Sequence, residues 1–294
     1  MALTKAESAY YTYLTERMGK GESKNIIIPT AVDLIKKHLL NKPTARLLDI
    51  GCFNGTMLNQ IRLNTTENLR HRVQYSGAEL DESLIKDGKH KYPDLKFERI
   101  DLDRPLPDMG QYDIVILSNV LHEIIPNEEN IDIESVVGKT IDKVSLLTTT
   151  GGDLLILDGL KPNNDNEEVK VCFASDDIYK LYKFFAKKYS AFKIQVANNI
   201  RPNTIQTRIK DLAAFMTKAR YLFEDYWSIE SKQIYQYFNQ QQFTQIIEKS
   251  GFRVQRFEPQ RFTQEYLNNL FSSISPYIEY PAKNVLIVAS KIIN

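Results

Sequence analysis

Cysteine is scarce in this sequence: Cys52 and Cys172 are the two among 294 residues. Two cysteines cannot build a disulfide framework, so a reduced, cytoplasmic setting is expected. An excess of charge of one sign is also missing. Lysine and arginine number 38 and aspartate and glutamate 37, a formal net charge of +1. No global field therefore recruits nucleic acid or an anionic membrane, and no concentrated Lys/Arg run marks a basic groove. Nucleic acid is disfavoured as a partner. Long apolar runs are absent too: none approaches the roughly 18 residues of a membrane span, and "MALTKAESAYYTYLTERMGKGESKN" holds no apolar signal core. No membrane association is expected. Internal repeats, low-complexity tails and metal-ligand spacings are likewise absent, and no metal is expected.

What is present is an ordinary soluble composition, 43% hydrophobic and 26% charged. Helices are predicted over 4–18 and 28–40, the latter placing Ile28, Val32, Ile35 and Leu39 on one face. Residues 45–50 form a short apolar run, the mark of a strand buried on both faces. A helix from about Gly55, a strand at 73–79, a helix at 82–92 and strands at 95–101 and 112–118 follow. A helix at 135–147 then leads into "GGDLLILDG" as a fifth strand. This alternation predicts an α/β fold with a doubly wound, mostly parallel sheet. The alternation stops over about 160–242, a stretch rich in Tyr, Phe and Lys that reads as helical. Ile178, Leu181, Tyr182 and Phe185 share one helical face there, and Ile205, Ile209, Leu212 and Met216 another. A helix at 240–250, "GFRVQRFEP" and "KNVLIVASKII" resume the pattern. The division is N-terminal helices and flap at 1–44, a core at 45–160 and 240–294, and a helical cap at 161–239. The cap leaves the carboxyl end of a strand, the side where open α/β sheets bind ligands.

"LLDIGCFNGTML" raises the functional question. A buried strand ends at Asp49, and Gly51 and Gly55 precede a helix. Glycines let a ligand approach the backbone, and a helix N-terminus offers unpaired N–H groups. The dinucleotide pattern G-x-G-x-x-G is not met, because position 53 is Phe. About 30 residues on, "YSGAELDES" ends its strand with Glu79, a carboxylate able to accept from both hydroxyls of a ribose. "FERIDLDRPLP" brings Asp101 to the next strand end, suited to an adenine amino group, with Asp103 a close rival. "YDIVILSNVLHEI" delivers Ser118 and Asn119, then His122 and Glu123.

In this order and spacing, "LDIGCFNG", "GAELDES", "RIDLDRPLP", "YDIVILSNVLHEI" and "LTTTGGDLLILDG" resemble the class I S-adenosylmethionine-dependent methyltransferase family. The likeness spans about 45–160 and the last two strands. It implies a seven-stranded Rossmann-like sheet whose last strand runs antiparallel, and S-adenosylmethionine as cofactor with S-adenosylhomocysteine as product. Asp49, Gly51, Cys52 and Gly55 would frame the methionine part, Glu79 and Leu80 the ribose, and Asp101 and Leu102 the adenine, with Ser118 and Asn119 entering the pocket. Phe53 departs from the family's usual glycine and puts the loop geometry in question.

For the chemistry, a base is needed only if the acceptor loses a proton near the transition state. "NVLHEI" is similar to the "LHDW" stretch of many O-methyltransferases and nominates His122, while Glu123 faces solvent or orients a neighbour. The insertion "TRIKDLAAFMTKARYLFEDYWSIE" carries Arg208, Lys218, Arg220, Tyr221, Tyr226 and Trp227. Arg220 could clamp an anionic acceptor, with Tyr221, Tyr226 and Trp227 as aromatic walls; the bland reading is a solvated helix face over a lid core. "RMGKGESKN" reads as a flap with Arg17 or Asn25 reaching in, or as a linker. The preferred function is O-methylation of a small molecule or natural product, methyl esters included. A peptide, protein or RNA acceptor is the alternative, although "SNVL" stands where base-amino methylation would place Asn/Asp-Pro-Pro-Tyr/Phe. An NAD-dependent oxidoreductase and a non-catalytic binding module rank lower. A place within a larger multi-domain enzyme stays open, because such domains often travel with others.

Overall fold

A computed structural model describes residues 4–20, 26–126, 131–196, 201–275 and 279–292. In chain order the first half comprises α1 (Lys5–Lys20), α2 (Ile27–Asn41), β1 (Ala45–Ile50), α3 (Thr56–Asn64), α4 (Glu67–Arg70), β2 (Val73–Glu79), α5 (Glu82–Lys91), β3 (Lys96–Arg99), β4 (Tyr112–Ser118), α6 (Ile133–Leu147) and β5 (Thr148–Gly159). The second half comprises β6 (Glu168–Phe173), α7 (Asp176–Lys188), β7 (Thr204–Arg208), α8 (Ile209–Lys218), α9 (Trp227–Glu230), α10 (Gln240–Lys249), β8 (Phe252–Gln260), α11 (Gln264–Leu270), β9 (Phe271–Ser275) and β10 (Asn284–Lys291).

Seven strands form one sheet in the order β3-β2-β1-β4-β5-β10-β8. The strands from β1 to β5 pair in parallel, whereas β10 runs antiparallel to both β5 and β8. The side-chain period of two sorts each central strand between two cores. Leu48, Ile50, Val115, Leu117, Leu154, Ile156, Val285 and Ile287 face α6 and α10. Leu47, Ile114, Ile116, Leu155, Leu157 and Leu286 face α2 and α3. Both faces are covered, so these strands read as unbroken apolar runs. Among the described residues no helix is long and apolar enough to cross a membrane.

The insertion departs from the helical expectation. β7, β6 and β9 form a separate three-stranded antiparallel sheet, with α7 and α8 packed into the same apolar core. Within β6, Val169, Val171 and Phe173 are buried and alternate with more exposed residues, a strand period within a helix-rich stretch. Ile205 therefore lies on β7, not on the helical face of Ile209, Leu212 and Met216. The third strand comes from the 259–283 connection, well outside the expected cap. A pairing across some 100 residues leaves no local signal, so the boundary at 239 misses it. The flap's residues 21–25 lie outside the described residues, as does the Arg17 side chain.

In the middle of β5, Asp153 is fully buried. It accepts from Lys37 Nζ at 2.9 Å and Ser290 Oγ at 2.6 Å, and pairs with His38 Nε2 at 2.7 Å. Burial alone would raise its pKa, but bonds from His38, Ser290 and Lys37 outweigh burial and hold it below the usual aspartate value. A lowered carboxylate pKa adds stability above the unfolded-state value, and that stability disappears as pH falls through the folded value. Asp153→Asn is accordingly expected to cost about 2–4 kcal/mol at pH 7. The gap from wild type should narrow below about pH 4; denaturant unfolding at pH 7 and pH 3 measures both.

Candidate active site

The strand order reverses between β1 and β4, and the crevice outside their carboxyl ends is where such sheets take ligands. A cavity of about 590 Å³ lies there, within the range of small-molecule sites. Its floor is the β1–α3 loop. Gly51 takes φ +68°, and a Cβ on it would lie 2.4 Å from Val120 Cγ2, so only glycine fits. Phe53, at the position where a glycine was expected, adopts φ +54°, the left-handed conformation glycine takes without strain. Its backbone N–H donates to Glu79 Oε2 at 2.9 Å, and Leu80 N–H donates to Glu79 Oε1 at 2.8 Å. Burial pushes the Glu79 carboxyl upward, and these backbone donors offset part of that.

Of the expected cofactor residues, Gly51, Glu79, Leu80, Asp101, Leu102, Ser118 and Asn119 line the cavity. Asp103 lines it beside Asp101, to which its N–H donates at 3.0 Å. Ser118 Oγ is buried with no hydrogen-bond partner among the described residues, a hydroxyl fit for a ligand. Three expected residues do not reach the wall. Asp49 is buried beneath the loop. Cys52 packs its sulfur against Gly77, where a Cβ would lie 2.6 Å from Sγ. Gly55, at φ +79°, makes room for the Phe97 ring, which would stand 2.5 Å from an added Cβ. These positions shape the loop from behind.

The far wall centres on His122, which is 5% exposed. Its Nδ1 lies 2.8 Å from Asp158 Oδ1, while Leu121 N–H donates to Asp158 Oδ2 at 2.9 Å and Gly159 N–H to Oδ1 at 2.8 Å. A carboxylate partner places the ring proton on Nδ1 and leaves Nε2 as the accepting nitrogen. The Tyr235 ring packs edge-on to the imidazole at 4.6 Å. Its hydroxyl lies 2.8 Å from both Asn119 Oδ1 and Asn284 Oδ1.

Helix α1 forms a roof. Glu7, Tyr10, Tyr11 and Leu14 line the cavity, and the run "YYTY" ties α1 to both sides. Tyr11 stacks on Phe53 at 6.0 Å, the Tyr10 hydroxyl donates to Glu123 Oε1 at 3.3 Å, and the Tyr13 hydroxyl meets that of Tyr221 at 2.9 Å. Glu123 thus orients a neighbour. The residues expected to reach in from the flap were Arg17 and Asn25. Asn25 lies outside the described residues, and the observed roof is the preceding helix. From the cap, Arg220 and Tyr221 line the cavity, with the exposed Arg220 guanidinium 4.6 Å over the Tyr221 ring. Tyr226 and Trp227 do not. Tyr226 stacks behind the roof on Tyr13 at 5.0 Å, and Trp227 packs on Phe185 in the cap core. Arg208 pairs with Asp211 within the cap.

Asp158, Tyr10, Glu230, Gln233 and Tyr235 hold no place among the residues the sequence motifs point to, and Lys218 stands there only as one cation of the insertion. Asp158 had a signal, an acid at a strand's carboxyl end. Tyr235 had none, since it sits in an irregular segment.

The chemistry of the wall fits S-adenosylmethionine. A ribose-capable carboxylate stands at the end of β2, acids follow β3, a positive-φ turn ends β1, and the Ser118 hydroxyl is unsatisfied. Carboxylates of Glu7, Glu79, Asp101, Asp103 and Glu123 suit a cofactor carrying sulfonium and ammonium charges. Glu79→Ala is expected to weaken S-adenosylhomocysteine binding at least tenfold by calorimetry, a loss of about 1.4 kcal/mol or more. Gly55→Ala should lower the melting temperature with a smaller effect on affinity.

Comparison with known proteins agrees. The family described as "Methyltransferase domain" matches residues 26–256. A comparison with curated proteins found no match. Among solved structures, an S-adenosylmethionine-dependent methyltransferase from Mesorhizobium loti superposes with a TM-score of 0.52 at 14% identity, covering 92% of this chain and 99% of that one. The DszA carbon methyltransferase superposes with a TM-score of 0.51 at 13% identity, covering 91% of this chain and 53% of that one. At such identities the superpositions speak for the fold alone, and the family match carries the rest: the chain belongs to the methyltransferase domain family and is an S-adenosylmethionine-dependent methyltransferase.

Proposed function

We propose that the enzyme methylates an oxygen of a small molecule that must lose a proton, with His122 as general base. The observation that carries this reading is the buried His122–Asp158 pair in the wall of a roofed cavity. A carboxylate acceptor needs no base, so the pair favours a hydroxyl over methyl-ester formation. The roof of α1 and the cap favour a compact acceptor over an RNA or a folded protein, which would need an open groove. Both cysteines are free, in keeping with a reducing, cytoplasmic setting.

When bound, the cofactor supplies an electrophilic methyl carbon on a sulfonium sulfur. The chain's own part is alignment, exclusion of water and handling of one proton. Glu79 is assigned to the ribose hydroxyls and Asp101 to the adenine edge, while the Gly51–Phe53 turn underlies the methionine end. His122 Nε2 accepts the acceptor's proton. Asp158 holds the imidazole in the competent tautomer and stabilises the imidazolium that forms.

His122→Ala and Asp158→Asn are each expected to lower turnover at least a hundredfold, within the usual worth of general-base catalysis. S-adenosylhomocysteine affinity should stay within about threefold of wild type. The assay follows methyl-labelled S-adenosylmethionine in a size-fractionated extract of the source organism. Label should enter the low-mass fraction and resist mild base. Retained turnover in His122→Ala removes the base, base-labile label points to an ester, and label in protein or RNA refutes the small-molecule acceptor.

A further inference from the structure

Lys218, the last residue of α8, is a cation in the same cavity that the mechanism above leaves unused. Its side chain is 3% exposed. The ammonium donates to the Glu230 carboxylate and to Gln233 Oε1 at 3.1 Å. It also stands 5.3 Å over the centroid of the Tyr235 ring, which packs edge-on to His122 as well. Lys218, Glu230, Gln233, Tyr235 and His122 all line the cavity.

An ammonium carries three donors, and Glu230 and Gln233 take two. A buried ion pair is also a poor stabiliser, because desolvation offsets the attraction. A buried, charge-paired lysine in the wall of a cleft is a functional-site candidate. Burial pushes the Lys218 pKa below the ordinary lysine value, against the opposing pull of Glu230. The other charged groups that bear on it are Glu123, from the exit of β4, and Arg220, from the turn after α8.

We propose that Lys218 holds the oxygen anion of the methyl acceptor, with Glu230 as its positioning residue, and that the acceptor is a phenol or an enol. The assignment rests on His122 acting as the base. A phenol or an enol, with a hydroxyl pKa of about 10, gives up its proton more readily than an aliphatic alcohol, and a neighbouring cation stabilises the anion that forms. In that step the acceptor O–H bond breaks and the proton passes to His122 Nε2. The imidazolium is balanced by Asp158, and the negative charge stays on the acceptor oxygen against the Lys218 ammonium. Tyr10, Tyr221 and Tyr235 line the same space and offer flat faces to a planar acceptor.

The test needs no turnover. Protein saturated with S-adenosylhomocysteine is mixed with 4-nitrophenol, and the visible phenolate band is titrated with pH. Bound nitrophenol is expected to ionise about one pH unit or more below free nitrophenol, the shift an opposite charge nearby produces. Lys218→Met/Glu230→Leu removes both charges together. It should keep S-adenosylhomocysteine binding, the readout that it is folded, and abolish the shift. Lys218→Arg retains the charge and should retain most of the shift. No nitrophenol binding to wild type, a shift that survives the double variant, or its loss in a folded Lys218→Arg protein overturns the proposal. His122→Asn leaves the ammonium in place and should leave the shift intact. Loss of the base reading therefore shows in turnover of His122 variants, and loss of the Lys218 assignment in the nitrophenol titration.

Discussion

The buried carboxylate of Asp158 is the interaction on which the active centre depends. A charge placed at the end of a central strand is costly unless it is fully hydrogen-bonded. The backbone N–H groups of Leu121 and Gly159 and the imidazole of His122 meet that demand. In meeting it they fix the turn after β4 and the imidazole at once. The position of His122 is thus a consequence of satisfying one anion. That anion is where it is because β4 and β5 pair in parallel, with Ser118 beside Leu157. The sheet's hydrogen-bond register thereby sets the position of the His122 imidazole.

A second constraint is closure of the cavity over its contents. No single element supplies the roof. Helix α1 is polar over much of its surface and makes its hold through tyrosines. Tyr11 stacks on Phe53 of the glycine loop, Tyr13 stacks on Tyr226 of the cap, and Tyr10 packs tilted against the same Tyr226 ring. Aromatic pairs of this kind are worth roughly 0.5–1.5 kcal/mol each beyond the area they bury. Phe53 joins the two halves of the site. Its left-handed backbone costs roughly 1–2 kcal/mol relative to glycine, and its side chain, buried against Tyr11, returns packing that glycine could not. Phe53 thus ties the loop to the roof through a contact that glycine could not make.

Much of the core was legible in the sequence because its signals are local. Strands β1, β2 and β4 were read to the residue, since an apolar run bounded by turn residues carries that information within itself. Gly51, Glu79, Asp101, Ser118 and Asn119 line the cavity because each stands at or just past a strand end, and topology sends strand ends to one crevice. Other residues of the same motifs lie outside the cavity wall: Asp49 is buried within β1, while Cys52 and Gly55 of the loop pack against Gly77 of β2 and Phe97 of β3, and whether a residue faces a cavity or its support is set by neighbours distant in sequence. Tyr226 and Trp227 were drawn toward the site by their chemistry, although the cap's own core and the roof claim them.

By itself the sequence determined the alternating order of elements, the two-sided burial of the central strands and the acids at their carboxyl ends, because each follows from local periodicity and turn chemistry. Tertiary structure alone decided the rest. It paired β9 with β6 across some 100 residues, which turned a helical-looking insertion into a sheet-bearing cap. It brought Asp158 against His122, Tyr235 against both His122 and Lys218, and α1 over the mouth. Such contacts join segments tens to hundreds of residues apart, and they are settled by packing and by the need to satisfy buried polar groups rather than by any property of the segments read alone.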